Sequence, residues 1–391
     1  MTLYVIAFIL SIPMRLLGLW FLATSLFFLK KTPPYPRAEP RTRFACLIPA
    51  RNEEAVIAGS VGSLLAQNYP SELFDVYVVL NNCNDGTEAA ALAAGAKLLR
   101  CTGPVANKGD ALRQATDRLL PLCNDAFCVF DADNVAAPDF LARMNDAFLA
   151  GARVAKASMR CKNPADTWVS GCYALYYGLF DTFFNPSRAA LGLSAKLVGT
   201  GFAVSSAFLE QLGGWRTGTI TEDVEFAAIC AEAGERIFFV PEAVAFDEAP
   251  ERFGVSLIQR KRWCSGIVDT GAARLSRLLR SLPEGRRLMK IDECCLLLSP
   301  FAQTLSLFSA LAALTLPARI LLPGLAASLT GTTLLAGLIA RRYGVGAKSV
   351  LLFPVFMATW LPLHIASLFR RTDVWREIRH GGAAVRRAEE K

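Results

Sequence analysis

The sequence predicts an α/β domain built on a parallel, doubly wound sheet and attached to transmembrane helices. Three observations lead there. Short apolar runs alternate with helical patterns from residue 44 onward. Apolar stretches long enough to span a bilayer lie before and after that region. The composition combines 53% hydrophobic residues and a mean hydropathy of +0.34 with 19% charged residues over 391 positions. That mixture suits a soluble domain plus spans.

Charge and rare residues narrow the chemistry. The net charge of +8 suits lipid headgroups or a polyanionic ligand such as a nucleotide. No nucleic-acid partner is expected. Eleven cysteines are scattered without CxxC spacing, and there are only two histidines, His364 in an apolar run and His380 in a basic tail. This disfavours a zinc site and a histidine-based triad. The thiols are expected to be reduced and cytosolic, and acid–base work falls to carboxylates.

Residues 3–29 form an apolar run too long for a signal-peptide core and without a cleavage pattern, so 1–30 is expected to be a retained transmembrane helix. Pro13 and Arg15 interrupt it, and Arg15 either snorkels or pairs with another span. Lys30, Lys31, Arg37, Arg41 and Arg43 accompany a proline-rich linker over 31–43, which makes this side cytoplasmic by the positive-inside rule. A cytosolic domain then covers 44–250. FACLIPA (44–50) is a strand and roughly 53–68 a helix; DVYVVLNN (75–82) is a strand and TEAAALAAGA (87–96) a helix. KLLRC (97–101) is a strand, NKGDALRQATDRLL (107–120) a helix and AFCVFDADN (126–134) a strand. This alternation predicts the parallel sheet, whose ligands bind at the carboxyl ends of the strands.

Residues 251–292 are expected to be interfacial helices carrying QRKRW (259–263), 293–370 C-terminal transmembrane helices, and 371–391 a basic tail. Candidate spans are 294–316, about 320–340, and 350–369. One span before the domain and three after would put the arginine-rich tail outside, against the charge rule. Either one apolar run is re-entrant, with Pro354 and Pro362 as its breaks, or the rule is overridden.

Polar residues gather where strands end. Asp131 and Asp133 leave the strand AFCVF two residues apart and could hold a hard divalent cation; alternatively Asp133 or Asn134 caps the helix that follows. Lys108, after a loop and at a helix start, suits a phosphate or a nucleotide base, or is a solvated lysine. Arg51, Asn52, Glu53 and Glu54 close the first strand, where they could hold a nucleoside or cap a helix. Gly199, Thr200 and Gly201 lack the third glycine of a dinucleotide fingerprint; a glycine wall open to a sugar or acceptor fits better. Thr221, Glu222 and Asp223 open a helix, where Asp223 could be a general base or Thr221 a cap. In QRKRW, Gln259, Arg262 and Trp263 share a helix face, while Arg260 and Lys261 are expected to point elsewhere, toward lipid.

PARNEE, NKGDAL, DAD, GTG, TED and QxxRW occur here in one order. In this the chain resembles membrane-integrated family 2 glycosyltransferases, the group of cellulose, chitin, hyaluronan and poly-N-acetylglucosamine synthases, over roughly 44–270. The resemblance implies a Rossmann-like, GT-A type fold, a UDP-sugar donor and an inverting single displacement. It implies that Asp133, with Asp131 nearby, holds Mg²⁺ or Mn²⁺ on the diphosphate, and that Glu53 and Lys108 contact the nucleotide. Asp223, with Glu222 beside it, would be the base. Gln259, Arg262 and Trp263 would line the mouth where acceptor and diphosphate meet. The family's aspartate-rich turn after the second strand reads Asn81-Asn82-Cys83-Asn84-Asp85 here, leaving Asn82 and Asp85 for the nucleotide.

The implied setting is an integral protein of a bacterial inner membrane, among membrane lipids, with a cytoplasmic catalytic domain and a glycan or lipid acceptor. A synthase extending a β-linked glycan is the first expectation, and a transferase adding one sugar to a membrane lipid the second. A non-catalytic membrane receptor or assembly subunit is the third.

Overall fold

The computed structural model describes residues 2–122, 124–314 and 318–369. In chain order, helix α1 (Thr2–Ser25) precedes β1 (Phe44–Ala50), α2 (Ile57–Leu65), β2 (Phe74–Leu80), α3 (Thr87–Ala93), β3 (Lys97–Arg100), α4 (Lys108–Leu119), β4 (Ala126–Val129) and β5 (Val135–Ala136). Next come α5 (Phe140–Leu149), β6 (Val154–Cys161), α6 (Trp168–Leu179), α7 (Asn185–Leu191), β7 (Phe202–Ser205), α8 (Ser206–Gln211), α9 (Glu222–Glu232) and β8 (Ile237–Asp247). Then follow α10 (Phe253–Ser281), α11 (Arg287–Ala313), α12 (Ala318–Ala340), α13 (Ala347–Ala358) and α14 (Trp360–Phe369).

These elements form two compact units. One is the α/β unit, Thr32–Lys162 with Gly192–Glu248. The other is a helical unit made of Asn163–Leu191 and the described parts of Met1–Lys31 and Ala249–Thr372. Residues 163–191, inside the expected 44–250 domain, thus cluster with the helices.

The α/β unit holds an eight-stranded sheet in the order β3-β2-β1-β4-β7-β6-β8-β5. β1 lies parallel to β2 and β4, and β2 parallel to β3. All seven residues of β1 are buried, as continuous apolar strands of a covered parallel sheet must be. The far half departs from the expected parallel sheet. β7 runs antiparallel to β4 and β6, and β5 antiparallel to β8, so the sheet is mixed. This reversal matters, because Val129 at the exit of β4 pairs with Phe202 at the entry of β7. The glycines that precede β7 therefore arrive at the carboxyl end of β4.

Local chemistry corrects several helix expectations. Asn52 adopts a left-handed conformation (φ 58°), so the chain turns there and α2 begins only at Ile57, without an Asn52 cap. Neither Asp133 nor Asn134 caps α5, which begins at Phe140 after Asp139. The Thr221 side chain makes no capping bond to α9. Asn107 does cap α4, its side chain accepting from the Asp110 amide at 3.1 Å.

In the helical unit, α6 and α7 are joined by a π-helical turn, Phe180–Phe184. Pro186 explains it, because its ring lacks an N–H and crowds the carbonyl one turn back. Arg188, fully buried, donates twice to Asp292 of α11 at 3.1 and 3.0 Å, and Trp20 of α1 donates to the same carboxylate at 2.7 Å. Arg15 bonds Ser11 of its own helix at 2.8 Å rather than another span. Among the described residues three segments are long and apolar enough to cross a membrane: Val5–Leu29, Leu321–Tyr343 and Ala347–Phe369. The expected span 294–316 falls largely on α11, but 315–317 and the basic tail with His380 lie outside the described residues.

Candidate functional site

The α/β unit brings four of the motifs together, NKGDAL, DAD, GTG and TED. Asp131 follows β4 directly, and its amide donates to the Thr200 hydroxyl at 3.1 Å. Gly199 and Gly201 both take left-handed backbone (φ 58° and 61°). A Cβ on Gly201 would come within 2.8 Å of the Ala245 Cβ. A Cβ on Gly199 would sit 3.4 Å from Asp131 Oδ2 and 3.9 Å from Asp223 Oδ2. Only a glycine thus separates the DAD carboxylate from the TED carboxylate. Asp223 Oδ2 also accepts from the Gly199 amide at 2.6 Å.

Lys108 joins the pieces. Its ammonium lies 2.5 Å from Asp131 Oδ1, 2.5 Å from the Gly199 carbonyl oxygen and 3.3 Å from Glu222 Oε1. Gly109 permits this, since a Cβ there would meet the Thr217 hydroxyl at 2.3 Å and the Glu222 Cβ at 3.2 Å. Gly199→Ala is expected to strain the backbone by roughly 1–3 kcal/mol and to displace the carboxylates, lowering any turnover by about 10²-fold. Thermal melting and initial rates would separate the two effects.

The charges here hold one another in place. Burial alone would lower the Lys108 pKa, but Asp131 and Glu222 outweigh it and keep the ammonium firmly charged. Burial raises Glu222 to about 7 despite Lys108, with Asp223 and Asp131 adding to the rise. Asp223 is raised by burial and only partly relieved by the Val224 and Gly199 amides. Asp133 is raised to about 7 by burial and by the neighbouring Asp131, against Lys162.

Asp131 and Asp133 could supply only part of the shell of a divalent cation. Among the described residues no group of three metal-ligating side chains occurs, so the protein offers no complete cage. Mg²⁺ or Mn²⁺ held by one or two carboxylates takes its remaining oxygens from phosphate and water. A divalent cation beside Asp133 would oppose the rise that burial and the neighbouring Asp131 impose on it.

The asparagine turn is braced internally. Asp85 accepts from the Thr87 hydroxyl at 2.5 Å, the Thr87 amide at 3.0 Å and the Glu54 amide at 3.2 Å. Burial would raise its pKa, but these bonds hold it below the ordinary value. Asp85 therefore staples the β1 and β2 loops. The Glu53 amide donates to the Thr87 hydroxyl at 2.7 Å, tying the same loops. Asn82, left-handed at φ 49°, donates to the Asn81 side-chain oxygen at 3.1 Å.

The sequence analysis assigned no role to three side chains at this site. Asn81 is fully buried, and its side-chain nitrogen has no partner among the described residues; its place at a strand end was the available signal. Lys162 donates to the Asp133 carbonyl oxygen, and no motif marks it. Glu225 accepts from the Gly218 and Thr219 amides, both at 2.7 Å, fixing the loop before TED.

Gln259, Arg262 and Trp263 belong to the helical unit, on α10. Trp263 stacks on Trp360 at 6.1 Å and meets Tyr173 edge-on at 6.0 Å. Gln259 Oε1 is buried without a partner among the described residues, and Arg262 is half-buried. Arg260 corrects an expectation. It does not face lipid but is fully buried, donating to the Phe356 carbonyl at 3.1 Å and the Thr359 hydroxyl at 2.7 Å, over the Phe356 ring at 4.1 Å. The helix break at Thr359 frees acceptors there, and a guanidinium satisfies them while favouring the negative end of α13. Arg260→Met should cost roughly 1.5–3 kcal/mol, with Arg260→Lys intermediate, as read by thermal melting in detergent.

Comparison with known proteins gives these motifs a common setting. The model of the family described as glycosyltransferase like family 2 matches residues 40–266. The chain is 30% identical over 236 residues to a probable glycosyltransferase of Bacillus subtilis, YdaM, covering 57% of this chain and 55% of that protein. It is 30% identical over 230 residues to a beta-monoglucosyldiacylglycerol synthase of Trichormus variabilis, covering 56% and 48%. The chain thus spans about half the length of the curated relatives it matches. The mannosyltransferase PcManGT of Pyrobaculum calidifontis, solved with GDP-Man and Mn²⁺, superposes with a TM-score of 0.63 at 21% identity, covering 92% of this chain and 99% of that one. That likeness shows a shared fold, of the GT-A type. With the family model matching more than half of its length, the chain belongs to the family of glycosyltransferase like family 2 proteins.

Proposed function

We propose that the chain is a membrane-bound, inverting glycosyltransferase that moves a sugar from a UDP-sugar to a hydroxyl of a growing glycan. One observation carries the reading: the Asp131 and Asp223 carboxylates flank Gly199, whose Cβ position would lie 3.4 Å from one and 3.9 Å from the other. Inversion by one displacement needs a base on one side of the anomeric carbon and a stabilised leaving group on the other. Asp223 takes the proton from the acceptor hydroxyl, and burial raises its basicity. Lys108 neutralises charge on the departing diphosphate, held in place by Asp131 and Glu222. Asp131 and Asp133 would hold Mg²⁺ or Mn²⁺, which supplies Lewis-acid stabilisation of the leaving diphosphate. The glycine wall lets the sugar approach backbone, and no covalent nucleophile is required. The setting is a bacterial inner membrane with the α/β unit in the cytoplasm.

A second reading, transfer of one sugar to a membrane lipid, is favoured by the similarity to a glucosyldiacylglycerol synthase. Detergent-purified protein with Mg²⁺ or Mn²⁺ would be screened for nucleotide release from UDP- and GDP-sugars, with membrane lipids present, and the products sized by mass spectrometry. A ladder of sugars on UDP release supports the synthase. A single sugar on lipid selects the second reading. Release from GDP-sugars alone overturns the donor assignment, and no release from any donor overturns the enzyme.

A further inference from the structure

We infer that the apolar helix Ala347–Phe369 does not cross the membrane but lies in its interface as the bed of the QRKRW helix, leaving α1, α11 and α12 as the crossings. By length and a mean hydropathy of 1.7 this helix is a candidate span. Within the helical unit it packs on α6 and α10 as well as on α11 and α12, and its polar contacts fall on α6 and α10. Near its start the Ser349 carbonyl accepts from the Cys172 thiol of α6 at 3.6 Å. At its middle Arg260 of α10 bonds Phe356 and Thr359, and Trp360 stacks on Trp263. Near its end the Ser367 hydroxyl donates to the Lys261 carbonyl at 3.3 Å. A crossing helix would carry its midpoint to the bilayer centre and take Arg260 with it. Such a cation adds about 2.5–3.5 kcal/mol to insertion even on the most lenient scale. No acidic side chain of the described residues forms an ion pair with Arg260 within 4.0 Å.

At the interface the same residues fall where they are stable. The half-buried Trp168, Tyr176 and Trp263 would lie at headgroup depth, where amphipathic rings collect, while Tyr173 and Trp360 are buried within the unit. The exposed Leu351, Val355 and Phe369 reach the acyl chains, while Lys348 stays among headgroups.

Charge gives an independent argument. Lys30 and Lys31 follow α1, Arg286 and Arg287 precede the apolar part of α11, and Arg341 and Arg342 follow α12; all six are exposed. From Cys294 to Ala313, α11 contains no charged residue. Trp20 and Arg188 meet on Asp292, which sets the basic ends of α1 and α11 at one depth. Crossings by α1, α11 and α12 put all these basic segments on one side, with Arg319 as the cation at the other end of α12. The arginine-rich sequence after 369 joins that side only if Ala347–Phe369 does not cross.

The test is independent of the reaction. In one full-length protein an epitope tag is inserted between Arg342 and Ala347, and in a second a tag follows Lys391. Each is probed with protease on intact and permeabilised spheroplasts. The expected result is that both tags are cleaved only after permeabilisation. An internal loop tag with an external C-terminal tag means that the helix crosses, and overturns the inference. An external loop tag, with the C-terminal tag on either side, overturns the assignment of the crossings.

Discussion

Asp223→Asn is expected to lower transfer by about 10²–10⁴-fold while leaving donor binding nearly intact. Asparagine keeps the size of the side chain, and its oxygen can still accept from the Gly199 amide, so the wall should hold its shape. What is lost is the proton acceptor. Initial rates together with calorimetric titration of UDP and Mn²⁺ separate the two quantities. Substantial turnover by this variant would remove Asp223 as the base. In the unsubstituted protein the rate should fall as pH drops through the Asp223 pKa, because only the carboxylate accepts a proton. That fall should lie above the ordinary aspartate range, the direction in which burial moves the group.

Lys108→Met is expected to remove both affinity and stability. The lysine side chain is 10% exposed and its partner Glu222 6% exposed, whereas Asp131 is 39% exposed. Removing one member of a buried ion pair costs about 3–5 kcal/mol. The lower end applies here, since water screens Asp131 in part. Without the ammonium, Glu222 should become protonated, because Lys108 is what opposes its burial. Melting temperature, nucleotide affinity and turnover should all fall. A variant with unchanged melting and unchanged nucleotide affinity would show that Lys108 neither braces the site nor contacts the donor.

The strand ends were legible because β1 and β4 are buried over their whole length and carry uninterrupted apolar sequence. Their polar successors stand out against it. The mixed half was not legible. β7 has four residues and β5 two, too few to show a period. β6 contains the buried Lys156, and β8 contains Pro241 and Glu242 in its middle, which break the strand signal. Asn52 reads as a helix cap until its left-handed backbone is known. Arg260 looks like a solvated charge in QRKRW, and nothing nearby in sequence reveals otherwise. Its acceptors, Phe356 and Thr359, lie in a distant helix and are freed by a break there. Burial of a charge by tertiary partners leaves no local trace.

The pairing of β4 with β7 has an evolutionary consequence. Four residue pairs, Ala126–Val129 against Phe202–Ser205, hold the glycine wall against the DAD turn. A slip of one residue would turn the strand over and lose the wall. Between β6 and β7, by contrast, the chain leaves the sheet for α6 and α7 and returns to a register fixed by backbone pairing. Changes confined to residues 163–191 leave that register and the glycine wall just before β7 in place. Descendants of such a scaffold can change what they receive while keeping how they react.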